Sequence, residues 1–248
     1  TLTEHVYDSI CQDFCLLNPY KVARSTGRNC RMCIDRVYGQ PLYRGIQLDE
    51  VFDCHRITGV HFLVYWAYTQ AVVDYTLANL VAFSFARADG LIMSGCFSIF
   101  HQFGTFIYHS ASGPVYNAIL SDCFMDNGYD GYHVDTAAVG HSAKLSNFQC
   151  QGNQAAISTT ATPANYSIAV YANQVNLQIS NADLRSTQGP AIYAAGQYCE
   201  IGISNLIVRD WSLGSTTGQA FNIVDGTSTL EIVGHKSFYD NSGLVTGA

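Results

Sequence analysis

The sequence predicts an all-β protein folded as a right-handed parallel β-helix, a solenoid of about seven coils with an N-terminal cap. Three observations predict this fold: a short segment that recurs seven times, a second apolar segment that recurs ahead of it, and a low content of charged residues. Repeats spaced by about 20 to 50 residues are typical of chains whose units stack on copies of themselves.

Each copy of the recurring segment has a Gly, Asn or Asp between a small residue and an alternating apolar tail. We call this Gly, Asn or Asp the corner residue, because a tight turn is expected there. The seven corner residues are Gly59, Gly95, Asp122, Asn147, Asn181, Asn205 and Gly234, and successive ones are 36, 27, 25, 34, 24 and 29 residues apart. Gly, Asn and Asp tolerate the left-handed backbone of a tight turn. We therefore expect Asn147, Asn181 and Asn205 to stack in single file, each bonding backbone groups of the next coil through its amide.

A second apolar segment precedes each corner from the third repeat onward, as in 104–109 and 131–135, so each coil contains at least two strands. Around each corner, the residues two before, one after and three after are mostly apolar. They are predicted to point inward, because side chains alternate along a strand. No long stretch has the 3.6-residue period of an amphipathic helix. Crossovers between parallel strands are right-handed, which gives the predicted hand.

The first part of the chain differs from the repeats. Residues 1–40 consist of short apolar pieces interrupted by Asn18-Pro19 and Gly39-Gln40-Pro41, and they are expected to form an N-terminal cap and the first-coil region. Residues 41–248 are expected to form a single β-helix domain. A cap is expected because an open solenoid end exposes both core and strand edges.

The composition of the chain limits the kinds of partner that it is expected to bind. Charged residues make up 12% of the chain, and its formal net charge is −7. Neutral polar side chains suit stacked strands, since like charges on successive coils would lie about 4.8 Å apart. The acidic balance and the absence of a basic cluster in the sequence argue against nucleic acid. The absence of a long apolar run argues against membrane insertion.

Nine cysteines admit two interpretations. Cys96, Cys123 and Cys150 fall at inward positions of successive coils, where reduced thiols act as small apolar fillers, as expected in a reducing cytoplasm. A disulfide between two neighbouring coils is geometrically allowed. The alternative is a four-thiolate zinc site made by Cys11, Cys15, Cys30 and Cys33. Because one CxxxC beside one CxxC is a weak signal, we expect buried thiols, no metal and no cofactor.

Two nearby stretches carry a resemblance to a known family. They read Val37-Tyr-Gly-Gln-Pro-Leu-Tyr-Arg-Gly-Ile-Gln-Leu-Asp49 and Asp53-Cys-His-Arg-Ile-Thr-Gly-Val-His-Phe62. The chain here resembles the pectate-lyase-like proteins found in phage tailspikes and in related capsule or O-antigen depolymerases. In that group Gly45 would open a strand, and Asp49 and Asp53 would hold turns.

The resemblance implies a homotrimeric spike of the virion tail, assembled in the host cytoplasm and joined to other tail proteins. Such a spike binds, and often cleaves, a bacterial surface polysaccharide. The group has no universal catalytic motif, and the Asp-Asp and Arg-Ile-Lys elements of polygalacturonases are absent here. The resemblance therefore transfers no catalytic residue.

Catalytic candidates follow from the chemistry of glycosidic bonds. Hydrolysis needs two carboxylates about 5 Å apart for retention or about 6.5–9.5 Å apart for inversion, and coils about 4.8 Å apart supply such spacings. The densest cluster of candidates is Asp126, Asp130, His133 and Asp135, with His109 aligned to Asp135 one coil earlier. Tyr129 and Tyr132 are expected to stack on sugar rings. The alternative is that Asp130 only forms a turn with Gly131 and that these rings are ordinary surface.

A second candidate site contains Asp183, Arg185 and Arg209. Arg185 and Arg209 occupy the same outward column on adjacent coils, where two guanidinium groups would bind the carboxylate of a uronic acid, in a hydrolase or in a lyase. The alternative is that Asp183 and Asp210 only balance the two arginines at the surface.

Three functions fit these patterns. The first is a polysaccharide depolymerase, either a glycoside hydrolase or a polysaccharide lyase. The second is a carbohydrate-binding spike without catalysis, and the third is a purely structural module of a viral appendage.

Overall fold

The computed structural model of the chain describes residues 6–64, 66–135, 140–152, 168–211, 220–224 and 226–238. Within these ranges the protein is mostly β and contains one helix. The first strands are β1 (Val6–Tyr7), β2 (Ile10–Leu16), β3 (Lys21–Ser25), β4 (Asn29–Cys30), β5 (Cys33–Gly39), β6 (Arg44–Leu48), β7 (Val51–Phe52), β8 (His55–Thr58) and β9 (His61–Phe62).

The helix α1 (Gln70–Asn79) separates these strands from the next group. That group is β10 (Val81–Phe85), β11 (Ala88–Asp89), β12 (Leu91–Ser94), β13 (Phe97–Ile99), β14 (Phe103–Ile107), β15 (Val115–Tyr116), β16 (Ala118–Ser121), β17 (Phe124–Gly128) and β18 (Asp130–Val134). The last strands are β19 (His141–Ser146), β20 (Gln149–Gly152), β21 (Ile168–Ala172), β22 (Val175–Arg185), β23 (Ile192–Ala194), β24 (Glu200–Arg209), β25 (Phe221–Ile223) and β26 (Thr229–Phe238).

The described strands form three parallel sheets, of 5, 13 and 8 strands. The chain visits the sheets in turn: β4, β5 and β6 belong to the 5-, 13- and 8-stranded sheets, and β7, β8 and β10 repeat that order. Strands pair with the equivalent strand of the next pass through the same sheet, as Ile92 does with Ile119, although the pairing of β17 with β20 shifts register between Met125 and Gly128. The predicted all-β class with parallel pairing is confirmed at this level.

The predicted corners are a continuous column in the 13-stranded sheet. All seven corner residues have positive φ, between 49° at Asn147 and 70° at Gly234. The side-chain amide of Asn147 donates to Asp122 Oδ1 over 2.9 Å, and that of Asn205 donates to Asn181 Oδ1 over 3.1 Å. The backbone N–H of Asn147 donates to Ser180 O, in the strand of the Asn181 corner, over 3.0 Å. The expected file of corner asparagines is therefore confirmed, but the expectation that their amides bond backbone groups is wrong, because the amides of Asn147 and Asn205 donate to side-chain oxygens of the preceding corner.

The column extends further toward the N-terminus than the seven repeats. Asp13 and Arg36 also have positive φ, 57° and 49°, and β2, which contains Asp13, pairs in register with β5, which contains Arg36. Here an ion pair between Arg36 Nε and Asp13 Oδ1, 2.6 Å long, replaces the amide contact. Residues 6–40 thus already contain strands that pair in parallel with those that follow.

The interior between the sheets is filled by the inward residues of each strand. In the column one residue after the corner, Cys96, Cys123 and Phe148 are each at most 1% exposed. The thiol of Cys96 donates to Ser94 O over 3.4 Å and that of Cys123 to Ser121 O over 3.3 Å, and the neighbouring Cys123 thiol together with burial raises the pKa of Cys96. Cys150 is also buried, so the expectation of reduced thiols packed in the core is confirmed.

The helix α1 was not predicted, and it accounts for the long gap between Gly59 and Gly95. Thr69 caps it by accepting a hydrogen bond from the N–H of Val72. Its buried residues Val73 and Leu77, four apart and therefore on one face, pack against Phe100 at the edge of the long sheet. No described helix combines the length and the apolar character that crossing a membrane requires.

Candidate functional site

The predicted catalytic residues lie on two different sheets. Asp126 belongs to β17 in the 13-stranded sheet, whereas Asp130 and His133 belong to β18 in the 8-stranded sheet. Asp183, Arg185 and Arg209, predicted as a separate site, lie on the same sheet as Asp126. The residues predicted as one catalytic cluster are therefore on two sheets, and Asp126 lies instead on the sheet of the second predicted site.

Asp126 is a half-buried carboxyl group on the outer face of β17. It lies one strand away from Ile99, whose side chain packs against the cluster beneath α1. Burial raises the pKa of Asp126, and the contact with Asn127 and the charge of Arg185 oppose this effect. The amide of Asn127 donates to Asp126 Oδ1 over 2.9 Å. A carboxyl group with a raised pKa keeps its proton closer to neutral pH, as a general acid requires.

Asp183 lies between two arginines. Arg185 Nη2 donates a hydrogen bond to Asp183 Oδ2, and Arg209 Nε is 3.8 Å from Asp183 Oδ1. Arg185 and Arg209 are paired in register in β22 and β24, as the outward column predicted. Only 16% of the Asp183 side chain is exposed, against 35% for Arg185 and 39% for Arg209. Both arginines are thus already in contact with a carboxylate of the protein.

The two groups form one surface, which we call the acidic face: Asp126, Asp183, Arg185 and Arg209. The strand β20 alone separates β17 from β22, and Gln149 of β20 pairs with both Phe124 and Asp183. Two strand spacings amount to about 9.6 Å. A surface cleft of about 520 Å³ adjoins Asp183 and is lined by Gln149, Asn181, Ala182, Asn205, Leu206, Ile207 and Gly234.

The sequence contained a signal for this proximity. Asp126 and Arg185 both lie four residues after a corner, at Asp122 and Asn181, so both point outward in the same column, two coils apart. The two residues are 59 positions apart, and the loops inserted between strands differ in length. Sequence spacing alone therefore did not reveal that their side chains lie near each other.

Asp130 and His133 form a hydrogen-bonded pair on the 8-stranded sheet. His133 Nδ1 and Asp130 Oδ2 are 2.6 Å apart, and Asp130 is 7% exposed. The His133 ring stacks on Tyr171, with centroids 4.3 Å apart and planes at 7°, and it also contacts Phe103 and Phe106. Because the faces of this ring are occupied, only its edge is available to a ligand.

The two predicted sugar-stacking tyrosines are not on an open surface. Tyr132 is 0% exposed and its hydroxyl is hydrogen-bonded to His141 Nε2, so the expectation that its ring meets solvent is wrong. Tyr132 pairs with Thr105 and Val170, which are inward positions of neighbouring strands. Tyr129 is half-buried and packs against the cluster beneath α1.

His109 and Asp135 lie at the end of the 8-stranded sheet. Ile107 pairs with Val134, so Tyr108, and not His109, is level with Asp135; the expected alignment was wrong by one residue. His109 is exposed, while Asp135 is half-buried and its backbone N–H donates to Ile107 O over 2.8 Å. Neither residue joins the acidic face.

The alternative zinc site finds no support. In the part of the chain that the structure describes, no three His, Cys, Asp or Glu side chains lie close enough to share a metal ion. Cys11 and Cys15 pair with Ile34 and Tyr38, whereas Cys33 pairs with Ile10. Cys30 lies on another sheet, the 5-stranded one. The expectation that these four thiols are buried is also wrong, because Cys15 is exposed and the other three are only partly buried.

Comparison with known proteins adds no relative. No family model matches the chain, and neither a curated protein nor a solved structure shows significant similarity to it.

Proposed function

We propose that the chain is a right-handed parallel β-helix of the phage tailspike type that binds and cleaves a bacterial surface polysaccharide. The chain contributes strands to the three parallel sheets in a repeating order, and its corners form a file of left-handed residues; both observations support a solenoid. Its right-handedness is supported by the rule that crossovers between parallel strands are right-handed. The proposal includes a homotrimer located in the virion tail beside other tail proteins.

The observation that carries the enzymatic part is the pair Asp126 and Asp183. Both are outward carboxyl groups, and a single strand separates their strands. Their strands lie about 9.6 Å apart, and Gln149 pairs with Asp183 and with Phe124, two residues before Asp126, so the two positions are also offset by about 6.7 Å along the strands. The resulting backbone separation of roughly 12 Å is too wide for the ~5 Å between carboxyls in retaining glycosidases and is nearer the ~6.5–9.5 Å in inverting ones. Their surroundings differ: burial raises the pKa of Asp126, and Asp183 contacts two guanidinium groups.

The roles follow from that difference. Asp126, whose raised pKa lets it keep its proton to higher pH than an ordinary Asp, donates that proton to the leaving glycosidic oxygen. Asp183 accepts a proton from a water molecule that attacks the opposite face of the sugar ring. Arg185 and Arg209 orient Asp183 and balance its charge. Gln149 lies between the two carboxyl strands, where its amide is able to bond sugar hydroxyl groups.

The test uses three matched substitutions, Asp126→Asn, Asp183→Asn and Asp122→Asn. Asp122 is an exposed corner of the same sheet and serves as the control. The chain is incubated with a panel of capsular and O-antigen polysaccharides, and new reducing ends and the ultraviolet absorbance of unsaturated products are measured. We expect a loss of roughly 10²–10⁴-fold in turnover for Asp126→Asn and Asp183→Asn and none for the control.

Other outcomes separate the alternatives. Turnover that survives both substitutions but is lost in Asp130→Asn would move catalysis to the 8-stranded sheet. Unsaturated products would identify a lyase. Glycan binding without turnover would identify a carbohydrate-binding spike, and neither binding nor turnover would leave a structural module. Sedimentation of the purified chain tests the homotrimer.

A further inference from the structure

A second charged surface lies away from the acidic face. Lys21 and Arg24 on β3 and Arg44 on β6 occupy the outer side of the 8-stranded sheet at its N-terminal edge, and we call them the cationic surface. Lys21 pairs with Arg44, and Arg24 pairs with Gln47. The sequence showed no basic cluster because the three residues are dispersed between positions 21 and 44, and strand pairing brings them together.

These cations lack acidic partners. Five other arginines are paired with Asp residues, and they are Arg31, Arg36, Arg87, Arg185 and Arg209. Within the described ranges, no carboxylate lies within ion-pair distance of Lys21, Arg24 or Arg44. In a chain of net charge −7, three adjacent cations without an ion-paired carboxylate repel one another and contribute no stabilising ion pair.

Arg44 is held in place before any ligand arrives. Its Nη1 donates to the carbonyl oxygens of Tyr43 and Asn79, at 2.8 Å and 2.9 Å. Its guanidinium carbon lies 3.8 Å from the centroid of the Tyr43 ring, which stacks on Tyr20 at 4.9 Å. Both hydrogen bonds go to neutral carbonyls, so the charge of Arg44 stays uncompensated. A preorganised guanidinium loses little entropy on binding.

Neutral donors lie beside the three cations. The amide of Gln47 donates to the hydroxyl of Tyr108 over 3.3 Å, and this hydroxyl lies within electrostatic range of Arg24 and Arg44. Asp49 is the nearby carboxylate on the same side; its Oδ1 already accepts hydrogen bonds from Ser110 and from the backbone of Glu50. Amide and hydroxyl donors next to guanidinium groups are the combination that a sugar carboxylate and its neighbouring hydroxyls require.

We propose that the cationic surface binds the carboxylate of an acidic sugar residue, with Arg24 and Arg44 as its charged ligands. Lys21 adds a third charge, and the exposed ring of Tyr20 offers an apolar face for the sugar. This inference rests on the proposed function, because it names an acidic polysaccharide as the ligand. It places that ligand on a sheet other than the one that carries Asp126 and Asp183.

The experiment is calorimetric titration of the whole chain with oligogalacturonate and with neutral dextran oligosaccharides of the same length. The variants are Arg24→Gln, the double variant Arg24→Gln/Arg44→Gln, and the control Arg56→Gln. Arg56 is exposed on β8 of the 13-stranded sheet, so its change removes the same charge from another face. We expect oligogalacturonate to bind more tightly than dextran, with binding at least about tenfold weaker in the double variant and unchanged in Arg56→Gln.

The single variant Arg24→Gln controls for misfolding, because it leaves the contacts of Arg44 intact. We expect it to weaken oligogalacturonate binding without lowering the urea midpoint, because it relieves repulsion between like charges. An equal loss in Arg56→Gln, equal binding of dextran, or displacement by equimolar inorganic phosphate would each overturn the proposal.

The two proposals fail separately. Oligogalacturonate binding that depends on Arg24 and persists in Asp126→Asn retains the acidic-sugar site, even where no polysaccharide is cleaved. If cleavage depends on Asp126 but oligogalacturonate binding is unchanged in Arg24→Gln, the proposed depolymerase activity stands and the proposed binding of acidic sugars at the cationic surface is refuted.

Discussion

The side-chain amide of Asn205 donates to the amide oxygen of Asn181, 3.1 Å away in the neighbouring strand, and both residues have φ of 53°. One residue type thus meets two demands at the same position. It tolerates the left-handed backbone of the corner, and it ties that corner to the next strand.

Substitution of Asn181 separates the two demands. Asn181→Ala loses the amide contact and places a Cβ-bearing residue without local hydrogen bonding at positive φ, so we expect the free energy of unfolding to fall by about 1–3 kcal/mol. Asn181→Gly loses only the contact and should cost less. Urea denaturation of both variants measures the difference, and equal losses would show that backbone strain is not involved.

Gly104 permits close approach of two strands in the 8-stranded sheet. A Cβ at this position would lie 2.7 Å from the carbonyl oxygen of Gly131 and 2.7 Å from Met125 Sδ. Gly104→Ala is therefore expected to lower the free energy of unfolding by roughly 1–3 kcal/mol through overpacking. The control is Gly226→Ala, where no atom of the described residues beyond its chain neighbours lies within 4 Å of the added carbon. Similar thermal midpoints for the two variants would contradict the prediction.

Arg185 provides a test of the acid assigned to Asp126. The charge of Arg185 lowers the pKa of Asp126, against the larger effect of burial. Because a general acid loses activity as pH rises through its pKa, Arg185→Gln should shift the alkaline limb of the pH–rate profile to higher pH. Arg209→Gln, which removes the other arginine beside Asp183, is the control. An unchanged limb in Arg185→Gln would remove Asp126 from the role of acid.

His101 makes stability depend on pH. It is 1% exposed, neither ring nitrogen has a hydrogen-bond partner among the described residues, and burial lowers its pKa to about 3. Between the usual value of about 6.5 and pH 3, the unfolded chain binds a proton that the folded chain does not. The free energy of unfolding therefore falls as pH falls in this window, by up to about 1.4 kcal/mol per pH unit.

The measurement is urea denaturation at pH 7 and pH 5 for wild type, His101→Leu and Ser98→Ala. His101→Leu should show a smaller loss between the two pH values. Ser98→Ala removes another buried hydroxyl with no hydrogen-bond partner in the described part of the chain, but one that does not titrate, and it should keep the wild-type pH dependence. Identical pH dependence in all three chains would refute the role of His101.

The corners were predictable because a left-handed turn restricts the residue types that occupy it. Two further corners were not predicted, because the residues at their turns do not fit the repeated segment. Asp13 and Arg36 adopt the same left-handed backbone and are joined by an ion pair. The helix α1 escaped prediction because it is short and buries only Val73, Thr76 and Leu77.

The position of Tyr132 was not predictable from alternation alone. A Cβ on Gly131 would meet Cys150 Sγ at 2.4 Å, so Gly131 faces the interior, and Tyr132 beside it is also buried. Two successive inward residues break the period of two and leave Asp130 and His133 on the same outer side. The proximity of Asp126 to Arg185 likewise depends on strand order, which sequence spacing does not reveal.

The placement of α1 has a consequence for how such a chain changes over time. The helix enters between β9 and β10, yet β10 still pairs residue for residue with β6 and with β14. An added piece of chain at this edge leaves the neighbouring layers undisturbed. Evolution, or an engineer, is therefore free to exchange such side pieces one at a time and to alter what the surface recognises while the scaffold remains the same.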